Sequence, residues 1–233
     1  MIQRKSIFNA CPITLSLIGA FIVFSGFMLI QIISEISQGL EPSPFGFIPN
    51  EALQLRYLSR WVTSTFRHGG LSHIFSNSLP LLCFGSFLER ELGPKKYLIL
   101  FFGSAFGGDL LLVILKHQST ENHLGASGGV MGVVTYFILA SRIKSDKNCQ
   151  KSRWDFLSIV AALIFVLPNI LGFWSEVRGD NLDQVSYLSH LGGALAGFLC
   201  FEEWKLEKEV QGVSRKLKAQ PKGNKPIVYR RVA

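Results

Sequence analysis

The sequence predicts an all-α, polytopic membrane protein built as a bundle of six membrane-spanning helices. Three observations carry that prediction. Hydrophobic residues make up 48% of the 233 positions, and the mean hydropathy is +0.30. Those apolar residues fall in six windows with few charges, at 12–33, 73–92, 97–115, 127–141, 155–174 and 187–204, of about the 20 residues that a membrane helix needs. With six spans and both termini on one side, 19 of the 24 basic residues lie on that side, which the positive-inside rule makes cytoplasmic. The net charge of +8 therefore reads as membrane topology and contact with anionic lipid, not nucleic-acid binding.

The chain is expected to divide into a short cytoplasmic segment at 1–11, the six-helix domain at 12–204 and a basic, disordered cytoplasmic tail at 205–233. The apolar stretch 13–33 is longer than the roughly 7–15 residues of a signal-peptide core, so it reads as the first span. Residues 34–72 are long for a structureless loop. Tyr57, Trp61 and Phe66 interleave there with Arg56, Arg60 and Arg67, a pattern that fits short helices at the membrane interface.

The second span opens near His73 and carries Asn77 one turn deeper on the same face. Two hydrogen-bonding side chains on one face of a membrane helix are costly unless they meet partners or water. The third span holds Asp109 roughly 10 Å below the outer surface at 1.5 Å per residue. Asp109 is read as a protonated or helix-bonded structural group, since nothing in the sequence brings it to the serine discussed next. Cys11, Cys83, Cys149 and Cys200 have no CxxC spacing and read as small buried hydrophobes.

The fourth span begins at Ser127, within Gly125-Ala126-Ser127-Gly128-Gly129. From Ser127 to Arg142 a helix rises roughly 24 Å, less than the roughly 30 Å hydrocarbon core. A serine at the start of so short a span lies below the membrane surface. The flanking glycines allow neighbouring backbones to come close. The fifth span contains Pro168, which removes a backbone hydrogen bond and predicts a kink. The sixth carries His190 ahead of Gly193 and Gly197, a GxxxG pair. Packing explains the glycines but not a histidine at that depth.

Serine is a weak nucleophile and needs a base within hydrogen-bond reach, and His190 is the candidate. Acyl transfer also needs donors for the developing oxyanion. His73, Asn77 and the backbone N–H groups of Ser127 and Gly128 at a helix start are the candidates. With no carboxylate placed to orient His190, a Ser–His dyad is expected instead of a triad. The G-x-S-x-G match at 125–129 is not a nucleophile elbow, because that motif needs a strand before it and a soluble sheet around it.

This set of residues resembles the rhomboid family of intramembrane serine proteases. The resemblance rests on Arg60, His73-Ile-Phe-Ser-Asn77, Gly85-Ser-Phe-Leu-Glu89 with Leu92-Gly93, Gly125-Ala-Ser127-Gly128, and His190 with Gly193 and Gly197, over roughly residues 55–203. It implies a six-helix rhomboid bundle with an outward-facing, water-filled cavity. Ser127 would be the nucleophile, His190 the general base, and His73 and Asn77 oxyanion stabilisers. Arg60 and Glu89 would be structural, holding the outer loop against the helices. Single-pass transmembrane proteins would be the substrates, entering between the second and fifth spans, and no metal or cofactor is implied. Two positions depart from the family pattern: Arg60-Trp61 reverses a common Trp-Arg pair, and Met131 stands where some bacterial members carry a tyrosine that packs on the catalytic histidine. The change at Met131 predicts altered histidine positioning.

The alternative is an inactive rhomboid-like protein that binds membrane clients, although such proteins typically lack the serine or the histidine. A transporter would show inverted repeats or a path of charged groups, and neither is visible. A bacterial inner membrane, with the site opening to the periplasm, is the expected location.

Overall fold

The computed structural model describes residues 11–40, 45–147, 151–178 and 185–219, with a main apolar core and a smaller cluster of Phe47, Ala52, Leu112 and Leu188. The helices are α1 (Pro12–Ser37), a single turn α2 (Arg60–Thr63), α3 (Leu71–Pro80), α4 (Ser86–Lys116), α5 (Ser127–Lys147), α6 (Lys151–Ala161), α7 (Leu167–Arg178) and α8 (Tyr187–Ala219). One isolated antiparallel bridge, Phe47 to His123, is the extended pairing among the described residues. The protein is an all-α polytopic membrane protein.

Among the described residues, three helical stretches are long and apolar enough to cross a membrane: Pro12–Ser37, Leu71–Lys116 and Phe156–Arg178. The second runs for 46 residues, more than twice what one crossing needs. It breaks at Gly93, whose φ of 78° is non-helical, with Pro94 following. That break separates the expected second and third spans. The expected fourth and sixth spans are the helices α5 and α8, which fall short of that apolar length. Protein surrounds much of α5, where Val130, Val133, Val134 and Phe137 are buried, so it needs less lipid-compatible surface.

The expected helix-breaking effect of proline takes the same form twice. A π-helical turn, Leu81–Gly85, follows Pro80, and another, Ala162–Val166, precedes Pro168. Such turns shift the hydrogen-bond register and are frequent at functional sites. Phe84 and Phe165, one from each turn, meet edge-on with ring centroids 6.0 Å apart.

Glycines set the closest contacts. A Cβ on Gly193 would strike the Gly128 carbonyl, and one on Gly197 the Gly132 carbonyl, so α5 and α8 touch backbone to backbone. Gly107 and Gly192 do the same for α4 and α8. At Gly193 and Gly197 any side chain would push α5 and α8 apart.

The segment 45–66 is a chain of short helical turns, Pro49–Glu51, Leu55–Tyr57, α2 and Ser64–Phe66, in keeping with the aromatic and basic pattern. Arg60 Nη1 donates to Glu51 Oε2 at 2.7 Å and its guanidinium lies over the Tyr57 ring at 4.2 Å. Arg60 therefore ties this segment to itself. Glu89 corrects the expectation that it holds the outer loop. It sits at the opposite end of the bundle and accepts 2.8 Å bonds from Ile13 N, Thr14 N and Thr14 Oγ1. A carboxylate at the start of α1 satisfies N–H groups that lack intrahelical acceptors and complements the helix dipole.

Helix α8 continues through Ala219, past the expected end of the span at 204. Lys96 anchors the extension, bonding Glu207 at 2.5 Å and lying over the Trp204 ring at 5.1 Å. The first half of the expected disordered tail is thus helix. Residues 1–10 and 220–233, parts of the terminal segments, lie outside the described residues, as does Cys149. Cys11, Cys83 and Cys200 are not in disulfides; Cys11 is buried as expected, whereas Cys83 is exposed and Cys200 half-buried.

Candidate active site

Ser127 opens α5 after a backbone turn that only glycine adopts easily. Gly125 has φ +108°, in the region where a Cβ is strained. Its N–H donates to the Ser64 carbonyl at 3.0 Å. A Cβ at Gly125 would also lie 2.7 Å from Cε1 and Nε2 of His73. The glycine therefore lets the His73 imidazole rest on the turn that leads into Ser127. The first helical bond runs from Val130 N to the Ala126 carbonyl at 2.9 Å. The N–H groups of Ser127, Gly128 and Gly129 are thereby left without intrahelical acceptors.

His190 sits in the first turn of α8, its N–H donating to the Ser186 carbonyl at 3.2 Å. The ring is held from three directions. Its Nδ1 makes a short hydrogen bond with Oδ1 of Asn169, from α7. Tyr187 meets it edge-on, with ring centroids 6.0 Å apart. Met131 reaches it indirectly, because Asn169 Nδ2 lies 3.7 Å from the Met131 sulfur while donating to the Phe165 carbonyl at 2.5 Å.

Ser127, His190, His73, Asn77, Asp109 and Asn169 all line one open cavity of about 730 Å³. Ser127 and His190 face it without a direct hydrogen bond, so the dyad contact expected from close packing is not made in this state. Asn77 is buried and donates from Nδ2 to the His73 carbonyl at 3.0 Å, leaving its second amide hydrogen available. Gly128 is the one expected oxyanion residue outside the cavity lining; its carbonyl packs against Gly193. Asp109 is not bonded to a neighbouring helix as expected. It is buried, on the cavity wall.

Behind His73 stands His68, with ring centroids 4.9 Å apart in an edge-on contact. Ser25 of α1 accepts the His68 N–H at 3.0 Å and lies 3.4 Å from its Nδ1. Burial pushes the His68 pKa down to about 4; nearby His73 adds to the shift and the bond to the Phe66 backbone opposes it. Among the described residues, no cluster of three His, Cys, Asp or Glu side chains could hold a metal ion.

Asn169 and Tyr187 are the site residues that sequence reasoning missed. The signal for Asn169 was present: it is an amide in an apolar span, as Asn77 is, and polar groups there need partners. Tyr187 carried no comparable signal. Chemically, the cavity brings together a hydroxyl, an imidazole with an oriented ring, and several N–H donors, the parts that acyl transfer requires.

Comparison with known proteins is consistent with this geometry. The family profile described as the Rhomboid domain matches residues 55–201. RHOMBOID-like protein 5 of Arabidopsis thaliana is 30% identical over 141 residues, covering 60% of this chain and 42% of that protein. Rhomboid-like protein 11, chloroplastic, of the same plant is 28% identical over 160 residues, 64% of this chain and 52% of the relative. Rhomboid protease GluP of Bacillus subtilis (strain 168) is 26% identical over 155 residues, 66% of this chain and 27% of the relative. The matched region thus spans about half or less of these relatives.

Proposed function

The chain belongs to the rhomboid family, and on that premise we propose that it is an intramembrane serine endopeptidase that cleaves single-pass transmembrane proteins in or near the membrane. Ser127 is the nucleophile and His190 the general base. Ser127 Oγ attacks the scissile carbonyl as His190 takes its proton, and His190 returns that proton to the leaving amine. Water then attacks the acyl-enzyme, restoring Ser127. His73, the free amide hydrogen of Asn77 and the unpaired N–H group of Ser127 stabilise the oxyanion, while Gly128, outside the cavity lining, serves the packing of α5 on α8.

The observation that carries this reading is the convergence on one open cavity of Ser127, His190, His73 and Asn77, contributed by α5, α8 and α3. The missing Ser127–His190 bond is compatible with it, because catalytic hydrogen bonds are often long in the free enzyme and tighten with substrate bound. The substrate helix enters between the second and fifth spans, and helix-breaking residues near the cut site favour cleavage because an intact helix hides its carbonyls. The membrane is a bacterial inner membrane, with both termini cytoplasmic and the cavity facing the periplasm. The retention of serine and histidine together weighs against the client-binding alternative.

The test is cleavage of a fluorescent single-pass substrate by the purified protein in liposomes. Ser127→Ala and His190→Ala are each expected to abolish it. If the wild type cuts no member of a varied substrate panel and a fluorophosphonate leaves Ser127 unlabelled, the client-binding reading takes its place.

A further inference from the structure

We propose that Asn169 is the positioning residue of His190, fixing the imidazole as the Nδ1–H tautomer so that Nε2 faces the cavity with a free lone pair. The inference rests on the hydrolytic reading for its catalytic consequence, though not for its geometry.

The argument begins with the amide. A carboxamide has one acceptor oxygen and one donor nitrogen, and here the nitrogen is committed. Asn169 Nδ2 donates to the Phe165 carbonyl at 2.5 Å and lies 3.7 Å from the Met131 sulfur, a weak acceptor. A flipped amide would set Oδ1 against that carbonyl, acceptor to acceptor. The oxygen is therefore the atom that meets His190 Nδ1. An oxygen without a hydrogen can only accept, so Nδ1 carries the proton. In a neutral imidazole Nε2 is then the acceptor, which is the form a general base for Ser127 must have.

The support of Asn169 is local to α7 and α5. Pro168 precedes it and the π-helical turn Ala162–Val166 ends three residues before it, so it stands where the helix changes register. Phe165, whose carbonyl holds Nδ2, is braced by Phe84 at 6.0 Å between centroids. Met131 holds the other side. The methionine that replaces an aromatic thus acts on the histidine through the amide. The aromatic contact itself comes from Tyr187, whose ring occupies the space that a side chain on Gly172 would need.

A neutral amide in this place sets tautomer and orientation without a buried negative charge, as the asparagine of Cys–His–Asn hydrolases does. It also needs no compensating cation inside the membrane.

The experiment has two arms, on the full-length protein in nanodiscs. In the first, ¹⁵N-histidine NMR, with His190 assigned by its loss in His190→Gln, reads the tautomer directly. Nδ1–H is expected in the wild type and in Asn169→Asp, which keeps an acceptor, and a mixture in Asn169→Leu, which has similar volume and none. An Nε2–H wild type, or a tautomer unchanged in Asn169→Leu, overturns the proposal. In the second arm, Asn169→Leu should lower kcat by about 10- to 100-fold with KM little changed, a part of the roughly 10²–10⁴ that general-base catalysis contributes. Met131→Leu should lower it several-fold less. Wild-type kcat in Asn169→Leu overturns the proposal as well. If the wild type cleaves nothing, the protease reading fails, and the tautomer arm still decides the role of Asn169.

Discussion

The seam between α5 and α8 and the mounting of α1 are held by opposite means. At the seam, Gly128 and Gly132 face Gly193 and Gly197 with no side chain between them. Helix α1 meets the bundle through a narrow buried stripe that includes Thr14, Leu17, Phe21, Ser25 and Met28. Its remaining face, with Ile22, Val23, Phe27 and Ile30, is exposed and suited to lipid. Polar pins fix it: Glu89 at its first turn and Ser25 against His68 farther along. Lipid gives apolar helices no hydrophobic reason to associate, so close packing and hydrogen bonds do that work. The seam uses the first, and it carries Ser127 and His190. The mounting of α1 uses the second, and it meets the cavity wall through His68, which packs on His73.

The comparison breaks first at Gly193. Gly193→Ala puts a methyl group into the Gly128 carbonyl, and backbone on both sides leaves nothing flexible to yield. The cost is expected at about 3 kcal/mol, the upper end of overpacking penalties, or a fall of roughly 6–12 °C in Tm for a chain of this size. Cleavage of the single-pass substrate should fall with it, because the two helices must part. Thermal unfolding in detergent reads the first effect; an unchanged Tm would mean that the seam is not close-packed.

The pins of α1 come next. Glu89→Ala leaves the Ile13 and Thr14 N–H groups without their acceptor in a buried setting, while the Thr14 hydroxyl keeps the Tyr97 hydroxyl at 3.2 Å. Lost charge-assisted bonds and stranded donors of this kind cost on the order of 2–3 kcal/mol. Hydrogen exchange should rise over the first turns of α1 and stay unchanged across α5 and α8. Exchange rising equally in both would show that the two regions are not separately held.

Much of this was legible in the sequence because hydropathy, charge asymmetry and glycine spacing each record a physical demand of the membrane. The six helical segments and the pairing of Gly193 and Gly197 with α5 follow from those demands. So does the gathering of Ser127, His190, His73 and Asn77, through the polar side chains set into apolar runs. What the sequence hid depends on rotation about helix axes and on which ends meet. Glu89 could not be assigned to α1, since no local pattern tells which helix start it caps. Asp109 could not be brought to the cavity, because that needs the rotation of α4, which Gly107 and Gly108 fix by packing on Gly192 and Ser189. Asn169 was visible as an intramembrane amide, but its partner was not.

The second pin of α1 responds to pH. His68 is pushed down to about 4 by burial, against about 6.5 in an unfolded chain. A depressed histidine binds fewer protons folded than unfolded, so its contribution is full above pH 6.5 and declines as the pH falls toward 4. Acidification from pH 7 to 4.5 should lower Tm by a few degrees and loosen residues 64–70 against α1, as read by hydrogen exchange. His68→Gln should flatten that dependence. An equal dependence in the variant would assign it to other groups and detach Ser25–His68 from the mounting of α1.

The smallest effect has the opposite sign and is the sharpest check on the difference between the two regions. A Cβ built on Gly26, in the middle of α1, meets nothing within 4 Å. There the helix preference for alanine over glycine, about 0.8–1.0 kcal/mol, is unopposed, and Gly26→Ala should raise Tm by roughly 2 °C. Gly172→Ala in α7 lies between the extremes, since its methyl would meet the Tyr187 ring, a side chain that can turn aside. It should cost less than Gly193→Ala in stability but disturb the ring that flanks His190, lowering kcat several-fold. The same substitution thus has three outcomes, set by whether the neighbour is lipid, a ring or a backbone carbonyl. A loss of stability at Gly26 would mean that α1 has a packing partner on that face, and its mounting would then resemble the α5–α8 seam.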